Sequence, residues 1–491
     1  MNAALGYASI AIVALATALI GFYGLRVSRT TSDFYVASRT VRPWWNASAI
    51  GGEYLSAASF LGIAGLILLS GSGGLLFPIG YTAGYLMLLL FVAAPLRRSG
   101  AYTIPDFVEA RLESRTARRL TSVIVIVVGW FYIVPQLQGA ALTVNITTGL
   151  PPWVGSVAVA VIVGIVVAAG GMRSITFVQA FQFWLKLVAI AVPVVFVLLA
   201  VTDGTPSSLD AGTAFPASVG PQSLDAYRTI SLLVALLLGT MGLPHVLVRF
   251  YTNPDGDAAR TTTLIVLGLL SVFYLFPVII GMLGRAFAPD IADAGTADAL
   301  VLLLPGRMLP GLLGDAVTAL VIAGAFGAFL STSSGLVVSL AGVISQELLG
   351  GSVRGFRIAA IACSLVPLAV ALMTASSGLA GSVGLVFAFT ASTLCPVLLL
   401  GIWWRGLTAR GAIAGMTSGA LLCGAAILAG PAIAQAVPAL RTVLELPAAW
   451  TVPLAVGVTV LVSLLDRGRV PRGVDHLLAR LHVPERPPSA R

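Results

Sequence analysis

Windows of about twenty apolar residues recur along nearly the whole of this 491-residue chain, and that feature excludes most folds. A window of this length crosses the hydrocarbon core of a bilayer as a helix. Inside lipid every backbone N–H and C=O must find a partner within the protein, so long unbroken apolar runs become helices. Hydrophobic residues make up 58% of the chain and charged ones 10%, far from the roughly 45–50% and 25% of soluble domains. The reading is an all-α polytopic membrane protein. Thirteen spans are expected, near 3–25, 47–70, 73–96, 120–147, 152–170, 175–201, 228–251, 261–284, 312–346, 355–375, 380–403, 409–433 and 446–466. The first run has no basic leader and is too long for a signal core, so it reads as a retained helix. Residues 1–470 are expected to form one transmembrane domain, and 471–491 a cytoplasmic tail without fixed structure.

The net charge of +9 comes from arginines placed by topology. All of them except Arg228, Arg285, Arg307 and Arg441 fall in one set of alternate loops and the tail. The opposite loops carry Asp203, Asp210, Asp225, Asp290, Asp293 and Asp298. By the positive-inside rule the arginine-rich side is cytoplasmic, which puts the N-terminus outside and the C-terminus inside. The location expected is a bacterial cytoplasmic (inner) membrane, and the basic balance does not point to nucleic acid. Cys363, Cys395 and Cys423 sit in apolar runs without metal-ligand spacing and read as packing residues. No zinc-protease or nucleophile-elbow motif stands in a workable context, so an enzyme is not expected, and no cofactor is called for.

Two spans look breakable. "GGEYLSAASFLGIAG", residues 51–65, places a glycine pair, a glutamate and two serines within an apolar run. "LLLGTMGLPHVLVRF", residues 236–250, places Gly239 and Gly242 before Pro244. Glycine loosens the backbone and proline removes a donor. Such irregularity is tolerated in a membrane only where protein or a cavity satisfies the freed groups. The two stretches lie five spans apart, as paired halves of an inverted repeat would place them, with core repeats near 47–201 and 228–403. Close helix packing at small residues is the alternative use of the same glycines. A second polar cluster, Ser331, Thr332, Ser333 and Ser334, lies in a stretch without charge. Hydroxyl and carbonyl oxygens suit a small hard cation, and the lack of carboxylates argues against tight calcium binding. Sodium is the natural candidate.

At these residues the chain resembles the sodium:solute symporter family, and closely its cation/acetate branch. The resemblance runs through "SDFYVASR", "GGEYLSAASFLGIAGL", "LRRSGAYTIPDFVEARL", "GGMRSITFVQ" and "LLGTMGLPHVLVRFYT", in order, over nearly all of residues 1–470. It implies a LeuT-type 5+5 inverted-repeat core with flanking helices. Carried over by position, it implies sodium ligands at the carbonyls of Gly52, Leu55 and Ala328 and the hydroxyls of Ser331 and Thr332. One departure is Gln179, where many members of the family carry an aspartate near the sodium path.

The partners expected are sodium, the lipid bilayer and a small monocarboxylate. The span 7 break offers no aromatic residue between Leu232 and Val248, whereas span 2 offers Ser56, Ser59 and alanines. These features favour a small anion such as acetate, propionate or pyruvate. Gln136, Gln138, Thr240 and Gly242 are further candidates for the substrate site. Alternatives are a sodium symporter for proline or another small organic solute, and proton-coupled monocarboxylate uptake. Ionisable groups deep in a membrane are costly and functional by default. Glu53, the one acid well inside a span, and Lys186, the one lysine, are therefore candidates for coupling, either as a pair or separately. His245 reads as a structural hydrogen-bonding residue. The implied mechanism is alternating access, in which cation and substrate each raise the other's affinity.

Overall fold

A computed structural model describes residues 3–27, 31–202, 226–293, 296–374 and 378–484. Every regular element in these residues is helical. The principal helices are α1 (Ala3–Val27), α2 (Pro43–Tyr54), α3 (Ile63–Ser70), α4 (Leu76–Phe91), α5 (Arg115–Thr148), α6 (Trp153–Thr202), α7 (Ala226–Gly242) and α8 (Pro244–Phe250). They continue with α9 (Gly256–Phe287), α10 (Gly311–Leu348), α11 (Val353–Met373), α12 (Leu379–Trp403), α13 (Ala409–Ala436), α14 (Ala448–Leu465) and α15 (Val474–His482).

Ten helical runs in the described residues are long and apolar enough to cross a membrane, or eleven when α7 and α8 count as one bent span. The thirteen expected spans are not reached by this measure. The difference lies where two expected spans follow without a clean interruption. Residues 58–91 form one such run and 153–201 another. Gly171 kinks the second, with a φ of 59° that glycine adopts without penalty. A Cβ there would press on the Phe34 ring.

The helix α6 is central, packing against α1, α2, α5, α10 and α11. α7 packs against α4, α12 and α14. Glycines set the closest approaches. A Cβ on Gly52 would strike the Gln179 carbonyl of α6, and one on Gly239 would lie 2.5 Å from the Phe387 carbonyl of α12. The small residues of both breakable stretches therefore do allow close packing, as well as loosening the backbone.

Several placements differ from expectation. Arg249, counted above with the cytoplasmic loop, is fully buried at the end of α8. The tail is not structureless throughout. Residues 474–482 form α15, with Val474 and Leu481 buried and charged residues between them. The interval between the expected spans 261–284 and 312–346 carries short helices at Asp290–Asp293 and Leu300–Met308. Asp203, Asp210 and Asp225 lie outside the described residues. All three cysteines are buried and unpaired.

Candidate functional site

The helix α2 stops at Tyr54, and the chain resumes through a π-helical turn at Ala58–Gly62 before entering α3. At Leu55 the backbone leaves helical geometry, with φ −74° and ψ 81°. The Ser56 N–H turns back to the Tyr54 carbonyl at 2.8 Å. The Ala57 N–H finds the Gln136 Oε1 of α5 at 2.8 Å. Both donors would otherwise have served Gly52 and Glu53, four residues back. The break thus leaves carbonyl oxygens in the protein interior, where each needs a donor.

Side chains from two helices supply those donors. The Thr332 hydroxyl of α10 donates to the Glu53 carbonyl at 2.6 Å. The Lys186 ammonium of α6 donates to the Gly52 carbonyl, to the Leu55 carbonyl at 2.7 Å and to the Ser331 Oγ at 3.0 Å. Ser331 in turn donates to the Ala328 carbonyl at 3.1 Å. The five oxygens expected as sodium ligands therefore do converge, and each is engaged in a hydrogen bond. Their chemistry suits a hard cation. Three of the five already hold an ammonium group, so the set does not fit a sodium ion while Lys186 stands there.

Glu53 does not take Lys186 as its hydrogen-bonded partner. Its Oε2 accepts from Arg249 Nε at 2.7 Å, and both side chains are at most 2% exposed. Arg249 also donates to the Thr176 hydroxyl at 2.8 Å and to Gln179 Oε1. Gln179 uses its other end to donate to the Ser331 carbonyl at 2.8 Å. A carboxamide can accept from an arginine and donate to a carbonyl at once, whereas an ionised carboxylate can only accept. That is a physical reason for glutamine at this position. The Glu53 carboxylate also fills the space beside Gly335, where any Cβ would collide with it.

The second break is plainer. α7 and α8 meet at Leu243 with a 46° bend, and Pro244 opens α8 without a side-chain cap. Gly242 allows the break to sit against α12; a Cβ there would lie 2.7 Å from the Thr390 methyl. His245, expected to make a structural hydrogen bond, has no partner at either ring nitrogen, and its ring lies 5.0 Å from that of Tyr132, tilted by 52°. The hydroxyls of Tyr81 and Tyr85 are likewise buried without partners.

The remaining expected substrate residues divide. Ser56 is buried at the break, with its hydroxyl beside the Tyr132 phenol. Thr240 is buried, bonds its own helix at Leu236, and stands 3.2 Å from the Tyr54 hydroxyl. Ser59 shares a 3.1 Å hydrogen bond with Tyr274. Gln136 holds the break rather than standing open, since its amide also donates to the Tyr132 carbonyl. Gln138 is a correction. It lies a different way round α5, partly exposed, and bonds Thr374 at the end of α11. The α7–α8 break does lack aromatic residues, but Tyr54, Tyr81, Tyr85, Tyr132, Tyr274 and Phe387 gather around it from other helices. Tyrosines spread over α2, α4, α5 and α9 gave no local signal of this cluster.

The family model "Sodium:solute symporter family" matches residues 34–419. The chain belongs to that family. An uncharacterized symporter, YwcA, of Bacillus subtilis (strain 168) is 32% identical over 428 residues, covering 84% of this chain and 83% of the relative. A monocarboxylic acid transporter of Corynebacterium glutamicum is 31% identical over 450 residues, covering 83% and 81%. A Na+-coupled sialic acid symporter in a substrate-bound outward-open state superposes with a TM-score of 0.70 at 16% identity, covering 93% of this chain and 98% of that one. A nucleobase-cation-symport-1 family transporter in a closed conformation gives 0.54 at 15% identity, covering 91% and 98%. These two similarities show the fold, a LeuT-like symporter core. The protein is a multi-pass membrane transporter and not an enzyme.

Proposed function

We propose that this protein is a secondary active transporter that imports a small monocarboxylate, such as acetate, propionate or pyruvate, by alternating access. The observation that carries the proposal is the set of buried, unpartnered polar groups beside the two breaks: His245, Tyr81 and Tyr85. A carboxylate accepts hydrogen bonds from such donors. The monocarboxylic acid transporter among the relatives supports the same substrate class. The aromatic ring cluster favours compact substrates with an apolar end, since methyl and ethyl groups pack on tyrosine faces. Ser56, Ser59, Thr240 and Gly242 are assigned to the walls of this site.

Family membership and the sodium-coupled structural neighbour support sodium as the coupling ion. A second reading, proton-coupled uptake, is favoured by one observation: Lys186 stands on the oxygens expected to bind sodium. In either case we place the N-terminus outside and the C-terminus in the cytoplasm of a bacterial inner-membrane protein, an orientation that the arginine distribution supports.

Counterflow tests the substrate without reference to any coupling ion. Proteoliposomes preloaded with unlabelled acetate, propionate, pyruvate or proline are diluted into trace radiolabelled acetate. The three monocarboxylates should drive entry of the label, and proline should not. Label that fails to enter after any monocarboxylate preload removes the assignment.

A further inference from the structure

We infer that Lys186 supplies the cation of the seat formed by the break after α2, so that this seat does not take sodium. The inference rests on reading these oxygens as the cation seat of a symporter, and it does not depend on which solute is carried.

Three observations carry it. An ammonium group has three N–H donors and no acceptor. Lys186 directs them at three acceptors, the Gly52 and Leu55 carbonyls and the Ser331 hydroxyl, and so is fully satisfied. A lysine that merely ran along a helix interface would turn its head toward water; this one is 0% exposed and sits where two helices converge.

The second observation is the position of the acceptors. They come from the last turn of α2, from Leu55 just past its end and from α10, which are elements a bound cation would join. Lys186 is tethered to α6 through its own chain and makes the same connection without an exchangeable ion.

The third is charge. Glu53 is held by Arg249, which leaves the Lys186 ammonium as the excess positive charge of the cluster. A sodium ion added among the same oxygens would place a second excess charge beside the first in a buried site. Such a charge is expensive unless paired. Ammonium and sodium therefore exclude each other at this seat.

The test is binding of radiolabelled sodium to the detergent-purified full chain, by scintillation proximity. The wild type should show no saturable binding. Lys186→Ala opens the seat and should gain saturable sodium binding, which adding Ser331→Ala should remove. Saturable binding to the wild type that Ser331→Ala abolishes would overturn the inference. So would a well-folded Lys186→Ala protein that binds no sodium, because the oxygens would then not form a cation seat. Should Lys186→Ala fail to fold, Lys186→Met keeps the stem packing and removes only the charge. In parallel, the melting temperature of the wild type should be the same in sodium chloride and choline chloride; a sodium-specific rise lost with Ser331→Ala would also overturn it.

Discussion

The two breaks in the membrane helices share a cause but have different fillings. Both arise where glycine, or glycine with proline, interrupts an apolar helix. After α2, the Gly52, Glu53 and Leu55 carbonyls and the freed Ala57 N–H are answered by Lys186, Thr332 and Gln136. Between α7 and α8 no side chain caps the proline, and His245 nearby keeps both ring nitrogens unpartnered. At the first break these freed backbone groups find partners within the protein, while the Ser56 hydroxyl and Glu53 Oε1 stay without one. The second, with the tyrosines around it, retains polar groups that only a ligand or water can satisfy. On the proposed function, the unpartnered groups near the second break serve the substrate and the oxygens held by Lys186 form the cation seat.

Substitutions can break or sharpen that contrast. The largest effect is expected from Arg249→Ala, which strands the buried Glu53 carboxylate beside the first break. Losing one partner of a buried pair costs about 3–5 kcal/mol, read as a lower melting temperature and reduced folded yield. Glu53→Gln with Arg249→Met should recover much of that loss. An Arg249→Ala protein as stable as the wild type would show that the pair does not hold the break. Gln136→Leu comes next. It leaves the Ala57 N–H buried without its acceptor, at about 1–3 kcal/mol, and thermal unfolding should show the drop.

His245→Phe should behave in the opposite way. It gives up no hydrogen bond in the structure, so stability should change by less than about 1.5 kcal/mol. Monocarboxylate KM should nevertheless rise roughly ten- to hundredfold, since a hydrogen bond to a charged group is worth about 1.5–3 kcal/mol. An unchanged KM would remove His245 from the substrate side. The smallest effect belongs to Gln138→Ala. It is a partly exposed contact to Thr374, and its removal should stay within about 0.5 kcal/mol and leave uptake near wild type. A large loss of uptake would reinstate it as a site residue.

The sequence made the first break legible because its signal is local: glycines, a glutamate and serines within fifteen apolar residues. The hydroxyl run at 331–334 was legible for the same reason. Their convergence with α6 was not, because it depends on the register between helices more than a hundred residues apart. Lys186 stood out as the one lysine, but nothing in its neighbours shows that its three donors meet the Gly52, Leu55 and Ser331 oxygens. Arg249 was counted as a loop cation because it lies at the end of an apolar run. Only tertiary packing reveals that the run ends inside the protein against Glu53, Thr176 and Gln179. Gln136 and Gln138 look alike in the sequence, yet two residues on a helix are about 200° apart, and that rotation sends one to the break and the other to Thr374.

The most direct measurement is initial uptake of radiolabelled acetate into proteoliposomes under an imposed sodium gradient or an imposed proton gradient, with choline replacing sodium in the second. A seat served by Lys186 predicts uptake at a rate that does not depend on sodium at that seat, and so does not change with Ser331→Ala in a sodium-specific way. Accumulation that requires sodium and disappears with Ser331→Ala would contradict it.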